Sequence, residues 1–521
     1  MAKGYPKNSK TKKFARVTWQ PLKEISSSPE LFLNGDFNIN PKTIKQGALS
    51  NCYFLSAVAS LCEIPNRIKK LFISDKINST SQVVGVRLCK DGEWKEILVD
   101  NYLPCDNRKK VPCFSTSSNE NEMWVSYLEK CYAKAYGSYY MIEEGSIEEA
   151  FYDLTGCPCL TIENSNNDLW DILTKSFDQK FIITASAGET QASKELLKEV
   201  GLIQNHSYTV LEVYDVVIDD QNLEYLLKIR NPWGNTEWIG DWSDHSNLWT
   251  EDIKMKLRYQ NKDDGSFWMN LKDFKHYFSK IQICKVFPNY KFNSKKLYQA
   301  NGGYNLLKMK LEYETTVYLS LIQLSKKNFL NTNENYKYSI ARFILSEVSN
   351  DSENPYNYVF GKMGQERVVT DKIVLLPGEY ILFIEVDWVQ KDYSFVFSSY
   401  SDEEIVTTVL KKQDYPDIIQ KIYKSCAKKQ NKVQNFTSDG APNCFKYSGL
   451  TPEGYTYIYL ENKEEDSTLL NDVKYTQFDG LTLLPPYSGT SYSLEVGPGE
   501  DKIVLIKQID LTGFNLISST Q

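Results

Sequence analysis

The sequence predicts an α+β fold in which a mixed core of helices and strands precedes two β-sandwich domains. Up to about residue 290, apolar residues recur at three- to four-residue spacing in several segments before an extended hairpin pattern takes over. Beyond that point short strands follow one another with turn residues between them, as in β-sandwiches. At 521 residues, and roughly 100–200 residues per domain, the chain has room for about three domains. Hydrophobic residues at 41% and charged residues at 24% exclude wholesale disorder, and 35 tyrosines suit packed strands.

Residues 1–29 read as a basic arm: Lys3, Lys7, Lys10, Lys12, Lys13 and Arg16 occur without an acid before Val17. A solvated terminus is the favoured reading over a docking arm for an acidic surface. The first thirty residues hold no apolar stretch typical of a signal peptide. Residues 30–290 form the expected core, split into two lobes near 160. Within it, Cys52 to Cys62 is too short to span a bilayer and reads as a buried helix. Helices are also expected over Glu122 to Tyr136, Asn166 to Ser176 and Ala192 to Val200. HSYTVLEVYDVV from His206, the polar IDDQN, and LEYLLKIR make a hairpin. Residues 291–400 form the first β-domain and residues 444–521 the second. Each contains a strand, Pro-Gly-Glu turn, strand unit, at Pro377 and Pro498, which suggests duplication. Between them, residues 401–443 hold a helix over Asp414 to Gln430 and a polar linker from Asn431 to Asn443.

A net charge of −7 argues against a nucleic-acid binder, which needs clustered Lys and Arg. Eleven cysteines, odd in number and without a C-x-x-C pair, point to reduced thiols in an intracellular, cytoplasmic protein. Of three histidines, His245 in a polar turn and His276 on a helix face read as surface residues, which leaves His206. Cys52 stands where Gly-Ala-Leu-Ser-Asn feeds an apolar helix, and a helix start lowers a thiol's pKa. His206 opens one hairpin strand and Asn231 closes the other. Equidistant from the turn, they are expected side by side, allowing a slip or bulge of one residue. There Asn231 would orient the imidazole. Gln46, six residues before Cys52, is placed to donate to a developing oxyanion, with the Cys52 N–H as second donor.

QGALSNCYFL, GLIQNHSYTV, IRNPWGNTEWIGDWSD and DDGSFWMNLKDFKHYFSKIQIC together resemble the protease core of the calpain family, over about residues 30 to 285. The resemblance implies a papain-like two-lobed cysteine protease core and a Cys52–His206 thiolate–imidazolium pair that forms an acyl-enzyme. Asn231 would orient His206, Gln46 would stabilise the oxyanion, and Trp233 would shield the His–Asn hydrogen bond from water. Ser50-Asn51-Cys52-Tyr53 departs from the family's usual Gly-Asp-Cys-Trp. The resemblance also implies a calcium ion in each half, aligning the two. In the first site Glu149 matches, but Thr43 stands nine residues before Cys52 where an aspartate is expected. In the second Glu237, Asp244 and Asp264 match, but Ser266 replaces a glutamate. Calcium takes six to eight oxygens, several anionic, so weakened binding is expected. No EF-hand loop occurs, so the resemblance is to a member without EF-hands. The expected function is an intracellular calpain-like endopeptidase making limited cuts in protein substrates. The alternative is a catalytically silent scaffold built into a larger, cytoskeletal assembly through the β-domains and basic arm. Acyl transfer of the transglutaminase type is disfavoured, since it asks for a carboxylate where Asn231 stands.

Overall fold

A computed structural model of the chain describes residues 17–33, 39–74, 76–77, 82–108, 111–188, 194–219, 222–234, 236–330, 332, 334–430, 433–435 and 443–520. The basic residues before Val17 and most of the Asn431 to Asn443 linker lie outside the described residues. Helices mixed with many antiparallel sheets make the fold α+β overall. The chain divides into two compact units, Met1–Pro288 with Lys327–Asn333, and the remainder. Part of the stretch read as an arm is structured: Val17–Pro21 forms a strand paired with Tyr102–Asp106.

In the first unit, helix α1 (Cys52–Cys62) is apolar on every side, and each residue from Tyr53 to Cys62 is buried, as such a composition demands. Phe54 stacks on Tyr132 of α2 (Trp124–Ala135), with ring centroids 4.2 Å apart. Helix α3 (Ile147–Thr155) begins at Ser146, whose hydroxyl accepts the Glu149 N–H at 3.2 Å, and stops at Gly156 in the left-handed conformation.

The chain then enters a six-stranded antiparallel sheet of β1 (Cys159–Glu163), β2 (Ile182–Ala187), β3 (His206–Asp219), β4 (Asn222–Arg230), β5 (Ser266–Asn270) and β6 (Phe278–Cys284), in the order β5-β4-β3-β2-β6-β1. Tyr208, Leu227, Ile229 and Phe267 belong to one apolar core and Val216, Leu226 and Trp268 to another, so both faces of the central hairpin are covered. Burial on both faces makes the hairpin a stiff frame. It is also where the helices attach. Ser60 of α1 shares a 2.7 Å hydrogen bond with Thr209 of β3. Arg230, at the end of β4, donates to Glu63 just beyond α1 at 3.1 Å.

In the second unit, a four-stranded and a five-stranded antiparallel sheet, from residues 291 to 409, share one apolar core that includes Leu307, Val317, Phe343, Leu382 and Phe397. A five-stranded and a three-stranded sheet share another, from residue 433 on. The strands flanking each Pro-Gly-Glu turn lie in different sheets, so both turns carry the chain from one sheet to the other. The helix Ile418–Gln430 buries Ile422, Tyr423 and Cys426 with residues of both sheet pairs. Fully buried Arg342 donates to Asp387 at 2.5 Å and to the Gln508 carbonyl at 2.7 Å, and Lys507 bonds Glu385 and Asp387, both at 2.7 Å.

All eleven cysteines are free. Among the described residues, no helix is long and apolar enough to cross a membrane.

Glu63→Ala would leave the Arg230 guanidinium buried without its partner. We expect urea denaturation to register a loss of about 3 kcal/mol, the lower end for a broken buried pair because Glu63 is partly exposed. Adding Arg230→Met, which removes the stranded charge, should recover most of it.

Candidate active site

Cys52 is the first residue of α1. The loop before it is held by close backbone contact. A Cβ on Gly47 would stand 2.2 Å from the Phe114 carbonyl oxygen, so only glycine fits, and the Ala48 N–H bonds the Cys113 carbonyl at 2.9 Å. Asn51, almost fully buried, donates its side-chain amide to Glu129 of α2 at 2.7 Å. The other Glu129 oxygen accepts the Ser115 N–H at 3.1 Å. Burial pushes the Glu129 carboxyl up to about 7 against these hydrogen bonds. Sequence reading missed Glu129, although an acid on the apolar side of a helical pattern was a usable signal.

His206 and Asn231 are brought together, but not as directly opposed residues. Arg230 pairs with Thr209, and the β3–β4 ladder carries two register shifts, at Asn222/Leu223 and Lys228/Ile229. The ladder starts with Asp219 opposite Asn222, and its two bulges bring β3 back by two residues, which still leaves the register two residues from the expected pairing, one more than the expectation allowed. An even displacement keeps both side chains on one face, and His206 Nε2 lies 3.0 Å from Asn231 Oδ1. The Asn231 Nδ2 donates to the Thr236 carbonyl at 3.2 Å. That fixes the amide's orientation, so Oδ1 is the atom that faces the imidazole. An oxygen only accepts, so Nε2 carries the proton and a neutral ring has a bare Nδ1. Burial drives the His206 pKa down to about 4, with the Asn231 hydrogen bond pulling the other way. Desolvation thus favours the neutral ring, and the Asn231 hydrogen bond favours the charged one.

Trp233 follows on the same turn. Its N–H donates to Asn231 Oδ1 at 3.1 Å, and its indole lies against the imidazole with centroids 4.5 Å apart. The indole stays half exposed. It also lines, with Gln46, Cys52, Ser56 and Pro232, a slot whose free volume is only about 10 Å³. Gln46 spends one amide hydrogen on the Leu49 carbonyl at 2.9 Å and keeps the second. Among the described residues, no hydrogen bond joins the Cys52 thiol to the His206 imidazole. His245 and His276 are exposed.

A family model for calpain family cysteine proteases matches residues 3–285. The chain belongs to that family. It is 39% identical over 276 residues to the calpain-type cysteine protease ADL1 of Oryza sativa subsp. japonica, covering 51% of this chain and 12% of the relative. It is 34% identical over 280 residues to calpain-9 of Mus musculus, covering 52% and 40%. With the calpain-1 catalytic subunit of Rattus norvegicus the identity is 32% over 297 residues, covering 54% and 40%. The chain thus spans well under half the length of these calpains.

The acids that the calpain resemblance assigns to calcium already have other partners. Glu149 is paired with Lys327. Thr43, in the aspartate's place, donates its hydroxyl to the Asn40 carbonyl at 2.8 Å. Glu237 Oε1 accepts the N–H groups of Asp264 and Gly265 at 2.9 and 2.7 Å, and Asp244 accepts the Lys262 N–H at 3.1 Å. Asp264 takes Lys42 at 2.5 Å. Burial acts to raise the Asp264 pKa, and Lys42 and Ser266 outweigh it, so the net shift is downward. A cavity of about 650 Å³ beside Asp244 and Asp264 is lined with Lys228, Lys256 and Arg258. Among the described residues, no three His, Cys, Asp or Glu side chains converge as a metal site. These residues do not fit calcium.

The low His206 pKa has a signed consequence. Between about pH 6.5 and 4 the unfolded chain holds the extra proton, so this residue's contribution to stability falls as pH falls through that window. The slope approaches about 1.4 kcal/mol per pH unit. Glu129, raised in the fold, acts with the opposite sign as pH rises through 7. The difference between urea denaturation series of wild type and His206→Gln isolates the histidine, and we expect the two to converge toward pH 4.

Proposed function

We propose that the chain is a cysteine endopeptidase making limited cuts in protein substrates through Cys52, His206 and Asn231. Its core is a papain-like pair of lobes, followed by two β-sandwich domains. The observation that carries the reading is the His206–Asn231 hydrogen bond with the Asn231 amide pinned by Thr236, because it leaves Nδ1 bare to receive a thiol proton. In the first step the Cys52 thiol gives its proton to Nδ1 as sulfur attacks the scissile carbonyl carbon. The oxyanion takes hydrogen bonds from the free Gln46 amide hydrogen and the Cys52 N–H. The imidazolium, stabilised by Asn231, then protonates the departing amine and the C–N bond breaks, leaving a thioester. Water attacks the thioester with His206 as base, releasing the acid and the thiol. Calcium enters none of these steps.

Eleven free thiols support a reducing, intracellular setting. A second reading, a silent scaffold that joins an assembly through its β-domains and basic arm, draws on the nearly filled slot at Cys52.

A thiol-directed epoxide separates the two. We expect one covalent adduct per chain, on Cys52 by peptide mass analysis, abolished in Cys52→Ala and slowed at least about a hundredfold in His206→Ala by loss of the base. Folded protein that takes no label, with a Cys52→Ala variant that assembles normally, would favour the scaffold.

A further inference from the structure

One carboxylate of each expected calcium site holds a lysine ammonium, and the pair in the first site is the better built. Lys327 lies on a short 3-10 turn, Lys326–Phe329, and with the segment Lys327–Asn333 belongs to the first unit. Its ammonium donates to Glu149, with the two side chains only 5% and 13% exposed. The Tyr53 and Tyr136 rings stand 4.8 and 5.4 Å from it, a cation–π setting. Gly145 makes the room: a Cβ there would lie 2.5 Å from the lysine Nζ and 2.7 Å from the Tyr53 ring. The next residue is clamped separately. Asn328 accepts from Lys90 and donates to Asp91, both at 2.9 Å.

Each contact belongs to a different piece of the wall behind the nucleophile. Tyr53 follows Cys52 on the first turn of α1, Glu149 sits in the first turn of α3, and Tyr136 ends α2. Charge explains why an ammonium suits the position. With Thr43 in place of an aspartate, one carboxylate remains. A divalent ion there would leave an uncompensated buried charge, whereas one ammonium balances one carboxylate. Lys42, three residues before Lys45 and the Gln46 turn, does the same for Asp264 across the two halves of the unit, but in a more exposed pair that is worth less.

We infer that Lys327 is a positioning residue, whose ammonium on Glu149 holds the start of α1 in the place of a divalent cation and makes the protease independent of calcium. This rests on the protease reading. The test uses the full chain, with two readouts. The first is kcat and KM on a fluorogenic peptide, and Cys52 labelling by the epoxide, in excess EGTA and in millimolar calcium. The second is calorimetric titration with calcium chloride alone. Wild type should change by less than about twofold between the two media and take up no calcium at micromolar levels. Lys327→Gln should lower kcat about tenfold or more with little change in KM, in EGTA and in calcium alike. Lys327→Arg, which keeps the cation, should retain activity.

Wild type that EGTA silences and calcium restores would overturn the inference. So would micromolar calcium binding that Glu149→Gln removes, or a Lys327→Gln enzyme with wild-type kcat. Should Lys327→Gln fail to fold, the wild-type titration still decides. Folded wild type that neither cleaves nor takes label in either medium sinks the protease reading, while the titration continues to judge the lysine.

Discussion

The far end of the Cys52 helix is fastened to the hairpin that bears the other two catalytic candidates, and the site depends on that attachment. Ser60 reaches Thr209, three residues along the strand from His206. Glu63 takes Arg230, the neighbour of Asn231. Both bonds act on buried, stiff elements, so a displacement of α1 is passed to the hairpin and not absorbed by loops. The near end of the same helix has no such bond to the sheet. It is steadied from behind, by Glu129 through Asn51 and by the aromatic and ionic cluster around Tyr53. The helix therefore meets the sheet half by hydrogen bonds at its far end, while the placement of Cys52 is set by its contacts within the helical half.

Electrostatics in the sheet half follow from burial. His206 is 3% exposed and faces an amide, a phenol ring and an indole, with no carboxylate bonded to it. A carboxylate orienter would hold the imidazolium and raise the pKa, whereas the neutral Asn231 amide leaves desolvation to win. In the proposed reaction, charging this buried ring is a cost that the Asn231 hydrogen bond offsets in part.

What the sequence displayed and what it hid divide along a physical line. The apolar run from Tyr53 to Leu61 and the alternation of the hairpin are local periodicities, and the structure has a helix and a hairpin there. Equidistance from the turn brought His206 near Asn231, but the strands fold back between Asp219 and Asn222, further along than the assumed midpoint, and two bulges that no alternation encodes recover only part of the difference, so the residue-by-residue register was off. Polar pairs across long separations were invisible: Ser60 with Thr209, Glu63 with Arg230 and Glu149 with Lys327 are 149, 167 and 178 residues apart. None has a spacing signature, because each depends on tertiary placement and not on a repeat. The substitutions at Thr43 and Ser266 did announce that the acid sets were incomplete. Only the fold names the cations that answer them.

The slot at Cys52 is walled on one side by Pro232 and Trp233 of the turn that carries Asn231. Asn231 Oδ1 accepts from both the imidazole and the Trp233 N–H, so a backbone movement of this turn that drew Trp233 away would loosen the imidazole's amide partner. The turn is also wedged. Gly234 takes a positive φ of 70°, and a Cβ on the facing Gly265 would stand 2.7 Å from the Gly234 Cα. Among the described residues no hydrogen bond holds the indole, which is half exposed and touches His206 along one side. Trp233 thus combines a backbone pinned to Asn231 with a partly exposed indole set against the imidazole and beside Cys52.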